Sequence, residues 1–171
     1  MNNSKSVLKL SISGILCAVA ILGSFISFPV LGSKCAPLQH MVNVLCAVLL
    51  GPGYAVLTAF GASLLRNLLG LGSLMAFPGS LFGALLSGFL YAKTKRLTFA
   101  IFGEIVGTGI IGGLVAYPVS ILLMGNAAGS IAFYAYIVPF LISTVVGASL
   151  AGVILITLNQ QKVLSKLKAK L

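Results

Sequence analysis

KCAPLQHMVNVLCAVLLGPGYAVLTAFGASLLRNLLGLGSLMAFPGS, from Lys34 to Ser80, is the stretch that decides how this chain folds. Two apolar runs flank Gly51-Pro52-Gly53, and each carries polar residues that an apolar helix does not hold without cause. His40 and Asn43 are three apart and share a face of the first run, with Gln39 beside them. Ser63, Arg66, Asn67 and Gly70 follow the i, i+3, i+4, i+7 spacing of one helical face on the second. If the glycines and proline make a tight turn between antiparallel helices, a rise of ~1.5 Å per residue puts His40 ~16 Å above Gly51 and Arg66 ~18 Å above Tyr54. The two polar patches then lie at nearly one depth, which is the geometry of a site.

Working outward, the whole chain shares this apolar character. Its 171 residues are 59% hydrophobic and 7% charged, with a mean hydropathy of +1.16. Soluble domains carry about 25% charged residues, so there is too little polar side chain here to cover a water-facing globule. Spans of roughly 20 residues each leave room for six crossings, short loops and two tails. The expected fold is an all-α integral membrane bundle of six transmembrane helices forming a single domain over 1–171. The expected spans are about 7–28, 37–50, 54–71, 77–91, 97–124 and 131–158, followed by a basic tail over 159–171. Both termini are expected in the cytoplasm, and the protein in a prokaryotic-type plasma membrane.

The charge pattern agrees with that topology and argues against nucleic acid. Of the eleven basic residues, nine (Lys5, Lys9, Lys93, Lys95, Arg96, Lys162, Lys166, Lys168 and Lys170) fall at span ends, where cytoplasmic positive charge belongs. The tail reads mainly as a topology signal, with anionic headgroups as a secondary contact. Lys34 and Arg66 fall on the outer half, where topology gives no reason for them, so both become functional candidates. Cys17, Cys35 and Cys46 lack the paired spacing of a zinc or redox motif.

Arg66 is the strongest single signal, because a charge inside a span costs about 2.5 kcal/mol or more on insertion scales and usually faces a cavity or partner. Asn67 shares its face; snorkelling to headgroups is the bland reading. Glu104, the only acidic residue, is expected to floor a pocket, pair with Arg66, or tie helices together. Tyr117, Tyr134 and Tyr136 fall near the outer surface as an aromatic belt or as stacking partners, and Tyr117 and Tyr134 are counted with the site. His40 has no second strong ligand beside it, so no metal is expected. The chain has no phosphate-binding G-x-x-x-x-G-K-[ST] loop and no carboxylate pair, so neither ATP hydrolysis nor another enzymatic role is expected, and no cofactor. On the first span Gly14 and Ala18 have small-xxx-small spacing, suited to close approach by another helix of this chain or of a partner. Gly79, Gly83 and Ser87 repeat every four residues on the fourth.

Three runs, APLQHMVNVLCAVLLGPGYAVL (36–57), SLLRNLLGLGSLMAFPGSLFGALLSG (63–88) and GEIVGTGIIGGL (103–114), together resemble the membrane-embedded S component of energy-coupling factor vitamin transporters. More narrowly they are similar to the ThiW type, linked to the hydroxyethylthiazole precursor of thiamine. The resemblance covers about Lys34 to Leu114. It implies a six-helix fold with a ligand pocket open to the outside, a partner transmembrane subunit, and two ATPases that supply energy. It further implies that the subunit topples to release its ligand inward, with small residues on the first span meeting the partner. Gly14 and Ala18 stand where that family often has two alanines. The substrate-binding set expected here is Gln39, His40, Asn43, Arg66, Asn67, Glu104, Tyr117 and Tyr134. With one cation, one carboxyl and several amides, that set suits a small, largely neutral ligand rather than a phosphorylated one. The alternative is a stand-alone proton-coupled carrier built on Glu104.

Overall fold

The computed structural model describes residues 2–31 and 33–171. Its helices are α1 (Asn2–Leu22), α2 (Pro37–Leu50), α3 (Pro52–Leu68), α4 (Ala76–Thr94), α5 (Leu97–Glu104), α6 (Gly113–Met124), α7 (Ile137–Gln160) and α8 (Val163–Lys170). A π-helical segment, Ile105–Gly112, joins α5 to α6, so that Leu97–Met124 is one continuous rod. A small antiparallel hairpin, β1 (Phe28–Val30) and β2 (Ser33–Cys35), lies between α1 and α2. Among the described residues, three helices are long and apolar enough to cross a membrane: Ser4–Phe25, Leu97–Met124 and Ile137–Gln160.

The turn that organises the bundle is made by a single residue. Gly51 has φ +92°, a left-handed conformation that costs a glycine nothing, and it separates two helices. Pro37 and Pro52 sit in the first turns of α2 and α3, where a missing N–H is harmless. Of the residues of α2, only Leu38 and Leu49 are not buried. A helix buried on every side belongs at the centre. At 14 residues it is also only ~21 Å long, short of the ~30 Å hydrocarbon thickness, so its neighbours must shield its ends.

The usual distribution of polarity is inverted. Leu57, Phe60, Leu85, Phe89, Phe102 and Val153 face outward, whereas Gln39, Asn43, Ser63, Arg66, Glu104, Thr108 and Thr144 are buried. Lipid rewards that arrangement, because polar groups left facing hydrocarbon would have no partner.

Small residues set the spacing between α4 and the Leu97–Met124 rod. A Cβ on Gly107 would come within 2.5 Å of the Phe82 carbonyl oxygen, and one on Gly103 within 2.8 Å of the Leu86 backbone. A Cβ on Gly83 would meet Thr108 Oγ1 and the Glu104 carboxylate. The stripe of small residues is therefore a backbone-to-backbone contact with a carboxylate lodged beside it.

Several boundaries differ from the sequence reading. The first helix ends at Leu22 with a 3-10 turn to Phe25, and the hairpin occupies the connection that follows. The last long helix begins at Ile137, after turns over 131–136. Part of the basic tail is helical: α8 buries Leu164 and lays Lys168 against Tyr91, its Nζ 4.5 Å from the ring centre and donating to the hydroxyl.

Gly83→Ala should lower the thermal unfolding midpoint in detergent, at an overpacking cost of about 1–3 kcal/mol. Gly14→Ala, where a Cβ meets nothing within 4 Å, should leave the midpoint unchanged. Equal midpoints for the two variants would show that α4 can move aside.

Candidate functional site

The hairpin, α2, α3, the start of α4 and the segment before α7 surround a cavity of about 470 Å³. Gln39, His40 and Arg66 line one side, with Ser80 and Gly79 from α4. Tyr136, Phe140, Met75 and Met124 supply an apolar wall, the two rings 6.3 Å apart. Lys34 lines the cavity from β2, its Nζ donating to the Leu71 carbonyl at 3.1 Å. The volume falls in the range of small-molecule sites.

Beneath the lining runs a connected polar chain. Arg66 Nη1 donates to Gln39 Oε1 at 3.2 Å, and Gln39 Nε2 donates to Asn43 Oδ1 at 3.3 Å. Asn43 Nδ2 donates to Glu104 Oε1 at 3.0 Å and to the Ser80 carbonyl at 3.2 Å. Thr108 Oγ1 donates to the same carboxylate oxygen at 3.0 Å, and His40 Nδ1 lies 2.9 Å from it. Helical spacing explains part of this convergence: Gln39 and Asn43 are four apart on α2, and Glu104 and Thr108 four apart on the rod. The chain thus crosses from α3 through α2 to α5 without a break. Arg66, 4% exposed, still keeps donors beyond the one that Gln39 accepts, and its Nε has no partner among the described residues.

The structure sorts the expected residues. Gln39, His40 and Arg66 reach one cavity, and Asn43 and Glu104 stand directly behind them. Glu104 faces His40; its expected pairing with Arg66 is replaced by the relay through Gln39 and Asn43. Asn67 turns away to donate to the Ser63 and Ser73 carbonyls at 2.8 and 2.9 Å, anchoring the loop that follows α3. Tyr117 and Tyr134 do not line the cavity. Tyr134 is 56% exposed with its ring edge-on to Phe133, while buried Tyr136 donates its hydroxyl to Ser120 Oγ at 2.9 Å. Thr108 escaped the sequence reading, although its four-residue spacing from Glu104 carries the signal. Asn126 also escaped; it lines the cavity and donates to Ser120 Oγ at 2.8 Å, and nothing in its loop marks it out.

Gly14 and Ala18 are exposed on the outer face of α1, and a Cβ on Gly14 meets nothing. Packing within this chain's own bundle does not account for Gly14. Cys35 is held by its Sγ donating to the Pro139 carbonyl at 3.2 Å, and burial pushes its thiol above the usual range. No group of three or more His, Cys, Asp or Glu suited to a metal occurs among the described residues.

Residues 10–161 match the family model of the thiamine-precursor transporter protein ThiW. The chain belongs to the ThiW family. Membership joins an outward-facing apolar surface to a family of membrane transporters, and the match runs from within α1 through the end of α7. No curated protein and no solved structure is significantly similar to this ThiW-family chain.

Glu104→Ala would strip Asn43, Thr108 and His40 of their common partner. The expected cost is about 3 kcal/mol or more, read as a lowered melting temperature in detergent. Glu104→Gln keeps an acceptor oxygen and should recover most of the loss; two equally damaged variants would mean that charge, not acceptance, holds the network.

Proposed function

We propose that this chain is the substrate-capture subunit, or S component, of an energy-coupling factor importer, taking up hydroxyethylthiazole or a closely related thiamine precursor. The observation that carries this reading is the cavity. One wall holds hydrogen-bonding groups from Gln39, His40 and Arg66, and the other is aromatic and apolar from Tyr136 and Phe140. A small heteroaromatic ring with a polar tail needs both. Membership in the ThiW family supports the thiamine-precursor class.

In this reading the chain crosses a prokaryotic plasma membrane six times with both termini inside. The contact of Lys168 with Tyr91 supports that topology, since it brings α8 to the corner that carries Lys93, Lys95 and Arg96. Arg66 and Lys34 belong to the outer end, where the ligand enters. The chain has no phosphate-binding loop of its own, so energy comes from a transmembrane coupling subunit and two ATPases. The outward face of Gly14 and Ala18 is the proposed contact with the coupling subunit, because small residues let a partner backbone come close.

Titration of the purified protein with hydroxyethylthiazole in a calorimeter should give saturable binding at micromolar concentration or tighter. Arg66→Ala should weaken it by about tenfold or more, the worth of a charge-assisted hydrogen bond. An absence of heat with every thiamine precursor would remove the named ligand class. Gly14→Leu should abolish uptake by cells that carry the coupling subunits while leaving binding intact; unimpaired uptake would place the partner elsewhere.

A second reading, a proton-coupled carrier working alone, draws on the buried Glu104–His40 pair. Liposomes containing only this chain separate the two. Accumulation driven by a proton gradient supports the carrier, and transport that begins only with the partner subunits supports the S component.

A further inference from the structure

We infer that His40 Nε2 is the acceptor for a hydroxyl hydrogen of the ligand, with Glu104 as the positioning residue that makes it one. The inference rests on the cavity being the ligand site.

Oxygen Oε1 of Glu104 receives hydrogen bonds from Asn43 Nδ2 and Thr108 Oγ1. An oxygen that accepts two bonds at 3.0 Å is acting as an acceptor, so the third group facing it, His40 Nδ1 at 2.9 Å, brings the proton. With the proton fixed on Nδ1, a neutral imidazole has only a lone pair on Nε2. That nitrogen makes no hydrogen bond among the described residues, yet it is not sealed among the buried unpartnered atoms. His40 lines the cavity, and Nε2 is the one ring nitrogen left for it to offer there.

The enclosed side chains that can carry charge beside His40 are Arg66 and Glu104, the only acidic side chain of the protein. They cancel when His40 is neutral; protonating the ring as well would leave a net positive charge in the bundle. The other groups near His40 do not alter the sum. Lys34 lines the cavity at the hairpin and is solvent-exposed, Tyr136 is neutral, and α4 and α7 present uncharged Ser80 and Gly147.

The recognition rule follows. The ligand presents an O–H to His40 Nε2 and an acceptor to the remaining donors of Arg66, and it lays its ring against Tyr136 and Phe140. A hydroxyl that has been etherified or phosphorylated lacks the hydrogen this site requires. The class is therefore a neutral heteroaromatic alcohol, taken up before any transfer of phosphate to it.

The test compares hydroxyethylthiazole with its O-methyl ether, which keeps the ring and the oxygen but has no hydroxyl hydrogen. Calorimetry on the intact wild-type protein should show the ether binding about tenfold or more weakly. His40→Ala should bring the two ligands to within about twofold of each other. Glu104→Gln, which keeps the acceptor for Nδ1–H, should preserve the preference for the alcohol. Equal affinities in the wild type overturn the assignment of His40 and leave thiazole capture standing. If neither compound binds, the capture reading fails and this inference fails with it.

Discussion

A carboxylate shut away from water needs donors around it, and Glu104 shapes much of the bundle by that need. Its side chain is completely buried, and its Oε1 gathers His40 and Asn43 from α2 and Thr108 from its own rod. Its backbone carbonyl accepts from Thr144 of α7 at 3.4 Å. Gly83 is bare because a side chain there would occupy the space of the carboxylate. Three packed elements thus take their register from one residue. The bonds gathered on Oε1 favour one arrangement of the bundle where grease alone would tolerate several, while the buried Oε2 has no hydrogen-bond partner among the described residues.

The same cluster borders the cavity. Gln39 connects Arg66 to Asn43, so the cation is held without a direct carboxylate partner and retains donors for other uses. Above this layer the cavity changes character, from amide and guanidinium on one side to Tyr136 and Phe140 on the other. Small-molecule sites commonly pair a few placed polar groups with an apolar wall.

Much of this was legible in the sequence, for identifiable reasons. The Gly51 turn allowed residue counting to set His40 and Arg66 at one depth, and a charge in an apolar run drew attention to itself. Reading failed where position depends on chain that has no period. For Glu104 the sequence leaves pocket floor, pairing with Arg66 and a tie between helices all open, and the intervening amides settle which groups meet. Among three nearby tyrosines, the turns over 131–136 decide that Tyr136 points inward and Tyr134 outward, and no spacing rule encodes that choice. Asn67 shares the helical face of Arg66, but the loop beyond α3 offers it carbonyls close at hand. The hairpin that brings Lys34 to the cavity is made of three-residue strands, too short for alternation to reveal.

The wide winding of Ile105–Gly112 has a bearing on how the ends of the rod communicate. Its π turns advance less angle per residue than ordinary ones, so they set the rotational phase between what lies below and above. Below stands Glu104; above stand Ser120, which holds Tyr136, and Met124. Tightening even one of those loops to common pitch would act like turning a key in its shaft, swinging the rim while the base stayed seated.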